Sequence, residues 1–63
     1  MPYVNIRLAG TLSREQKEAM CAGVTKAIAQ VTGKPEDAIL IFVDEDQYDN
    51  IAKGGKLLKK PGS

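Results

Sequence analysis

Pro2, directly after Met1, has the most unusual chemistry open to it of any residue in the chain. While Met1 is attached, the Pro2 nitrogen belongs to a tertiary amide and has no available lone pair. Removal of Met1, expected before a small residue such as proline, turns that nitrogen into a secondary amine. The reference pKa of an α-amino group is roughly 7.7 to 8.0, and burial beside apolar groups or cations disfavours the ammonium form. Such an amine is neutral often enough at physiological pH to take a proton from one atom and return it to another without a metal. Its ring also fixes the direction of the lone pair. On residue type alone, a proline that merely starts a strand is the plainer reading.

Other chemistry-bearing side chains point to less. Arg7, Arg14, Lys53 and Lys56 are candidate cations for an anionic substrate, and as isolated positions each reads first as a solvated or interface charge. The Gly54-Gly55-Lys56 stretch lacks the upstream glycine of a phosphate loop and has Leu57 where Ser or Thr belongs, so it reads as a backbone turn. Residues 44–49, DEDQYD, lack the twelve-residue pattern of a calcium loop and read as a solvated strand end. Cys21 has no neighbour in sequence to lower its pKa and reads as a packing residue, as does Tyr48.

The elements that must position Pro2 follow from length and pattern. Sixty-three residues make one domain, residues 1–63, too small to bury much of its own surface without a disulfide, a metal or a partner chain. One cysteine and no histidine exclude an internal disulfide and a Cys/His zinc cluster, so no metal or cofactor is expected and association with other chains remains. Nine basic against eight acidic residues give a net charge of +1, without the basic excess of a nucleic-acid surface. No apolar run approaches a membrane span and no signal-peptide layout is present, so the expected compartment is the cytoplasm.

Residues 2–8 alternate, with Val4, Ile6 and Leu8 on one face and Tyr3, Asn5 and Arg7 on the other, which predicts a strand. Ser13 followed by Gln16 is a capping-box pattern, and Gly33 with Pro35 stops the helix, which therefore covers residues 14–32. Its predicted apolar stripe is Met20, Val24, Ala27, Ile28 and Val31. AILIFV, residues 38–43, has no polar alternation, so this strand needs cover on both faces. A helix of 19 residues spans roughly 28 Å and returns the chain for a parallel pairing, but it covers only one face. Leu40 and Phe42 must find their cover on another subunit. DNIAKGGK then reads as a short hairpin, and Leu57 and Leu58 as docking residues of a tail.

The start Met-Pro with alternating apolar residues, the capped helix containing EQKE, the second strand running into DE and the late NIAKGG together resemble the 4-oxalocrotonate tautomerase family. The resemblance covers nearly the whole chain. It implies an α/β (α+β) fold: a tautomerase-like β-α-β unit with parallel strands and a short C-terminal hairpin. It also implies assembly into oligomeric sheets, as a hexamer built from three dimers, and keto-enol tautomerisation with Pro2 as general base. The best-known members place two arginines and an aromatic ring around the proline. Here those positions are Leu12, Leu40 and Ile51. A leucine cannot hold a carboxylate through paired hydrogen bonds. The expected substrate is thus a small enol or 2-oxo acid, monocarboxylic or uncharged, in an apolar pocket near Leu12, Leu40 and Ile51. The alternative is a non-catalytic oligomeric homologue that keeps the fold and the pocket.

Overall fold

The computed structural model describes residues 2–62. Strand β1 (Tyr3–Ala9) leads into helix α1 (Arg14–Thr32), a 3₁₀ turn (Glu36–Ala38) and strand β2 (Leu40–Asp46). A second 3₁₀ turn (Tyr48–Asn50) precedes the two short strands β3 (Ala52–Lys53) and β4 (Lys56–Leu57). β1 and β2 pair in parallel from Tyr3 opposite Leu40 to Ala9 opposite Asp46, and β3 and β4 form the antiparallel hairpin. The β-α-β unit and the terminal hairpin are those expected. No helix among the described residues is long and apolar enough to cross a membrane.

Helix α1 begins and ends where its signals stand. The Ser13 hydroxyl accepts from the Gln16 N–H at 3.1 Å and the Gln16 side chain accepts from the Ser13 N–H at 2.9 Å, so both partners of the capping box are engaged. At the other end Gly33 takes φ 74°, and its N–H returns to the Ala29 carbonyl at 2.9 Å. The hairpin turns on Gly54 and Gly55, at φ 61° and 81°, the left-handed pair a two-residue turn requires.

Three expectations shift. Strand β1 starts at Tyr3 rather than Pro2 and runs on through Ala9. Strand β2 occupies 40–46 rather than 38–43: Ala38 closes the first 3₁₀ turn, and Asp44, Glu45 and Asp46 stay in the ladder because partners on β1, the following loop and α1 hold their carboxylates. The covered arc of α1 is rotated toward Cys21 and Thr25, which are half-buried with Met20, Val24 and Ile28, while Ala27 is exposed. Val31 is 86% exposed. A 19-residue helix spans about 28 Å against about 23 Å for a seven-residue strand, so its last turn has no strand beneath it.

One face of the sheet lies under the helix. On the other, Leu40 and Phe42 are 45% and 53% exposed, as their place on an uncovered face requires. Only Ile39, at 9%, is a buried hydrophobic residue among those described.

Candidate active site

Pro2 is half-buried just ahead of β1, and its carbonyl accepts a hydrogen bond from the Leu40 N–H at 3.1 Å. Because proline lacks a donor of its own, this bond through the carbonyl is what ties it to the ladder. The parallel register therefore sets Pro2 beside the first residue of β2, and of the three pocket residues expected from sequence the fold brings Leu40 to it.

Leu12 and Ile51 lie at the other end of the sheet. Leu12 follows the last residue of β1 by three positions and Ile51 follows the turn after β2, so both are about a strand length, roughly 23 Å, from Pro2. Each is half-buried, and the clefts they line share Ala9 at the end of β1. Ile51 is fixed by its own N–H to the Tyr48 carbonyl at 3.1 Å and by the Leu58 N–H to its carbonyl at 2.8 Å. A single chain thus holds two parts of the expected site at opposite ends and does not join them.

The Leu12 cleft, of about 500 Å³, is also lined by Gly10, Thr11, Tyr48 and Lys60. Gly10 adopts φ +94°, and a Cβ there would stand 2.9 Å from the Tyr48 ring, so only glycine lets the loop pass so close to the tyrosine. Tyr48 is accordingly a packing residue of this loop rather than of the hairpin proper. Lys60 brings the one positive charge to that lining among the described residues. Sequence reasoning missed it, because nothing local in the KKPGS tail shows that the chain returns to the β1–α1 connection.

The cations singled out from sequence lie elsewhere, and two of them are paired. Arg7 donates to Asp46 at 2.8 Å on the open face, and that hydrogen bond raises its pKa further above the ordinary value. Arg14 pairs with Glu18 one turn along α1 at 3.1 Å. Lys53 and Lys56 face each other across the hairpin. Cys21 is free and half-buried, in a shallow cleft with Arg14, Lys17 and Val43.

Glu45, unmarked in the sequence, is the most connected carboxylate near the Leu12 loop. One oxygen accepts from the Lys17 ammonium at 2.7 Å and the other from the Leu12 N–H at 2.6 Å. The Lys17 bond, followed by that from Leu12, holds its carboxyl below the ordinary value.

Comparison with known proteins places this geometry in a family. Residues 2–60 match the family described as "Tautomerase enzyme". A probable tautomerase of Bacillus cereus is 40% identical over 92% of this chain and 95% of its own length. The 2-hydroxymuconate tautomerase of Bacillus subtilis is 36% identical over 92% and 94%. Among solved structures, YwhB, a homologue of 4-oxalocrotonate tautomerase, superposes with a TM-score of 0.81 at 34% identity, covering 89% of this chain and 92% of that one. With the parallel β-α-β unit, the terminal hairpin and a match that begins at the proline itself, the chain belongs to the tautomerase family, a family of isomerase-type enzymes.

Proposed function

We propose that the chain is a cofactor-independent keto-enol tautomerase in which Pro2, freed by loss of Met1, is the general base for a small enol or 2-oxo acid. Met1 itself lies outside the described residues. The observation that carries the reading is the seat of Pro2: a half-buried proline pinned through its carbonyl at the head of a parallel strand, in a chain whose family match starts at residue 2. An amine held there takes a proton from the enol hydroxyl or the adjacent carbon and returns it at the other, and the ring keeps its lone pair aimed.

The pocket is completed by neighbours. Pro2 and Leu40 of one subunit meet the Leu12 and Ile51 end of others in a homo-oligomer, a hexamer of three dimers in this proposal. The exposed Tyr3, Leu40 and Phe42 of the open sheet face support such burial. The pocket wall is apolar at Leu12, Leu40 and Ile51, which suits a monocarboxylic or uncharged substrate better than a dicarboxylate. The leucines also support a second reading, a non-catalytic homologue that binds an apolar ligand, since neither can stabilise a developing enolate.

Three mass-verified samples on phenylenolpyruvate decide between them: processed chain, chain retaining Met1, and Pro2→Ala. The processed chain is expected to turn over, faster as pH rises and the ammonium loses its proton, and retention of Met1 to lower the rate by about 10²–10⁴-fold, the usual contribution of a general base. Pro2→Ala keeps a primary amine and falls between. Equal rates in the blocked and processed chains would overturn the amine mechanism, and inactivity of all three would point either to a different enol substrate or to the non-catalytic reading.

Substrate class is tested at Leu12. The unmodified chain should isomerise 2-hydroxymuconate slowly, and Leu12→Arg should raise kcat/KM for it about tenfold, the lower end of what a charge-assisted carboxylate contact supplies. Efficient turnover of the dicarboxylate by the unmodified chain would show that other cations of the assembled pocket, Lys53 or Arg14 among them, already grip it.

A further inference from the structure

The β1–α1 connection is four residues long, Gly10 to Ser13, and three of its N–H groups are held. The Gly10 N–H donates to the Asp46 carbonyl at 2.7 Å, the Leu12 N–H to the Glu45 carboxylate at 2.6 Å, and the Ser13 N–H to the Gln16 side chain at 2.9 Å. The outer two bonds end the strand and start the helix. The middle one has no such duty: it fixes the residue that lines the cleft.

We infer that Glu45 is the positioning residue for Leu12, and that its carboxylate sets the pocket wall which the substrate of the proposed tautomerase meets. The inference rests on that proposed function for the meaning of the wall and on the hydrogen bonds for the anchor. Glu45 sits on the helix-covered face of β2, opposite Leu8 of β1, with its side chain 20% exposed. From α1 it faces the Lys17 ammonium; Arg14 and Glu18, nearby on the helix, are paired with each other. Asp44 and Asp46, its neighbours along β2, are occupied with Asn5 and Arg7 on the other face. Among the described residues, no other carboxylate bonds the Leu12 N–H. The two oxygens divide the work: one is neutralised and steered by Lys17, which leaves the second aimed at the loop. A carboxylate accepts a backbone N–H more strongly than a neutral group does, so the charge and the geometry act together.

Loss of Glu45 leaves the Leu12 N–H without its acceptor while the Gly10 and Ser13 anchors persist. The loop then stays in place at both ends and loosens in the middle, at the substrate wall. Binding weakens, while the base, supplied to this pocket by a neighbouring subunit, keeps its own anchor through the Leu40 N–H and its rate.

The test combines amide hydrogen exchange with kinetics on phenylenolpyruvate in the processed chain, for Glu45→Ala, Glu45→Gln and Lys17→Met. In Glu45→Ala, Leu12 amide protection should fall about tenfold while Gly10 and Gln16 amides hold, and KM should rise about five- to tenfold with kcat within about twofold, the range one hydrogen bond commands. Glu45→Gln, whose amide oxygen still accepts from Leu12, should recover most of both effects, and Lys17→Met, which leaves the carboxylate unsteered, should fall between the parent and Glu45→Ala. Unchanged Leu12 exchange in Glu45→Ala would overturn the anchor. Loosening at Leu12 with KM unchanged, or a fall in kcat alone, would overturn its role toward substrate. Equal loss of protection at Gly10, Leu12 and Gln16 would reduce Glu45 to general stability and overturn the inference as well. Because exchange needs no turnover, a parent chain inactive on phenylenolpyruvate with Leu12 released in Glu45→Ala counts against the Pro2 reading and for the anchor.

Discussion

The two faces of the β1–β2 sheet are made from the same fourteen residues and end in different conditions. Beneath α1, Val4 and Ile6 of β1 stand opposite Ile41 and Val43 of β2, and all four are half-buried. On the open face the same register sets Tyr3 opposite Leu40 and Asn5 opposite Phe42, and Tyr3 remains 69% exposed with its ring 6.5 Å from that of Phe42. Farther along the open face, apolar residues give way to the Asn5–Asp44 and Arg7–Asp46 pairs. The difference shows that one helix has completed half a core. The apolar half of the open face adjoins Pro2, so in the proposed assembly whatever covers it also encloses the proline.

The sharpest way to break this contrast is Phe42→Asp. It sets a charge in the middle of the open patch, where full burial of each Phe contributes about 1.5–3 kcal/mol, repeated in every subunit. The expected result is a monomer by sedimentation at micromolar concentration. A variant that stays assembled would show that the open face is not an interface.

Ile6→Ala acts on the covered face and should lower stability by about 2 kcal/mol in urea unfolding, at the low end for such truncations because Ile6 is only half-buried in the chain alone. Oligomeric state should not change. A shift from oligomer to monomer would mean that the two faces are not independent.

The smallest effect comes from acid. Lys17 first, and then the Leu12 N–H, hold the Glu45 carboxyl below its ordinary value of 4.5. A depressed carboxyl adds stability that is fully present above the ordinary value and is lost as pH falls through the depressed one. Urea midpoints of the parent should therefore drop as pH is lowered below 4.5, and Glu45→Gln should flatten that slope. An equal slope in both would show that the Glu45 carboxylate does not carry the acid response.

Much of the fold is legible because its signals are local. Ser13 with Gln16 and Gly33 bound α1, and the paired glycines at 54 and 55 turn the hairpin. The end of β2 is not legible, since Asp-Glu-Asp reads only as a solvated strand end until Arg7, Lys17 and the Leu12 N–H arrive from segments more than twenty residues away. The helix stripe was misjudged for a related reason: periodicity marks Val31 as apolar but does not say where the sheet beneath it stops. For the candidate site, Pro2 stands out on chemistry, whereas Leu12, Leu40 and Ile51 were placed by resemblance. Glu45 and Lys60 needed the tertiary path, because neither residue type nor spacing distinguishes them from other surface charges.

The three anchors in the Gly10–Ser13 connection also limit what length this stretch can have. Each residue added to a helix turns everything after it by about 100°. One extra residue between the Gly10 bond and the Ser13 cap must either bulge out and carry the Leu12 N–H off Glu45, or pass into α1 and turn it, with Lys17 swung away from Glu45 and a polar side of the helix set over Val4 and Ile6. The connection therefore works as a fixed-length spacer, and insertion scanning across the chain should find it closed to even a single residue.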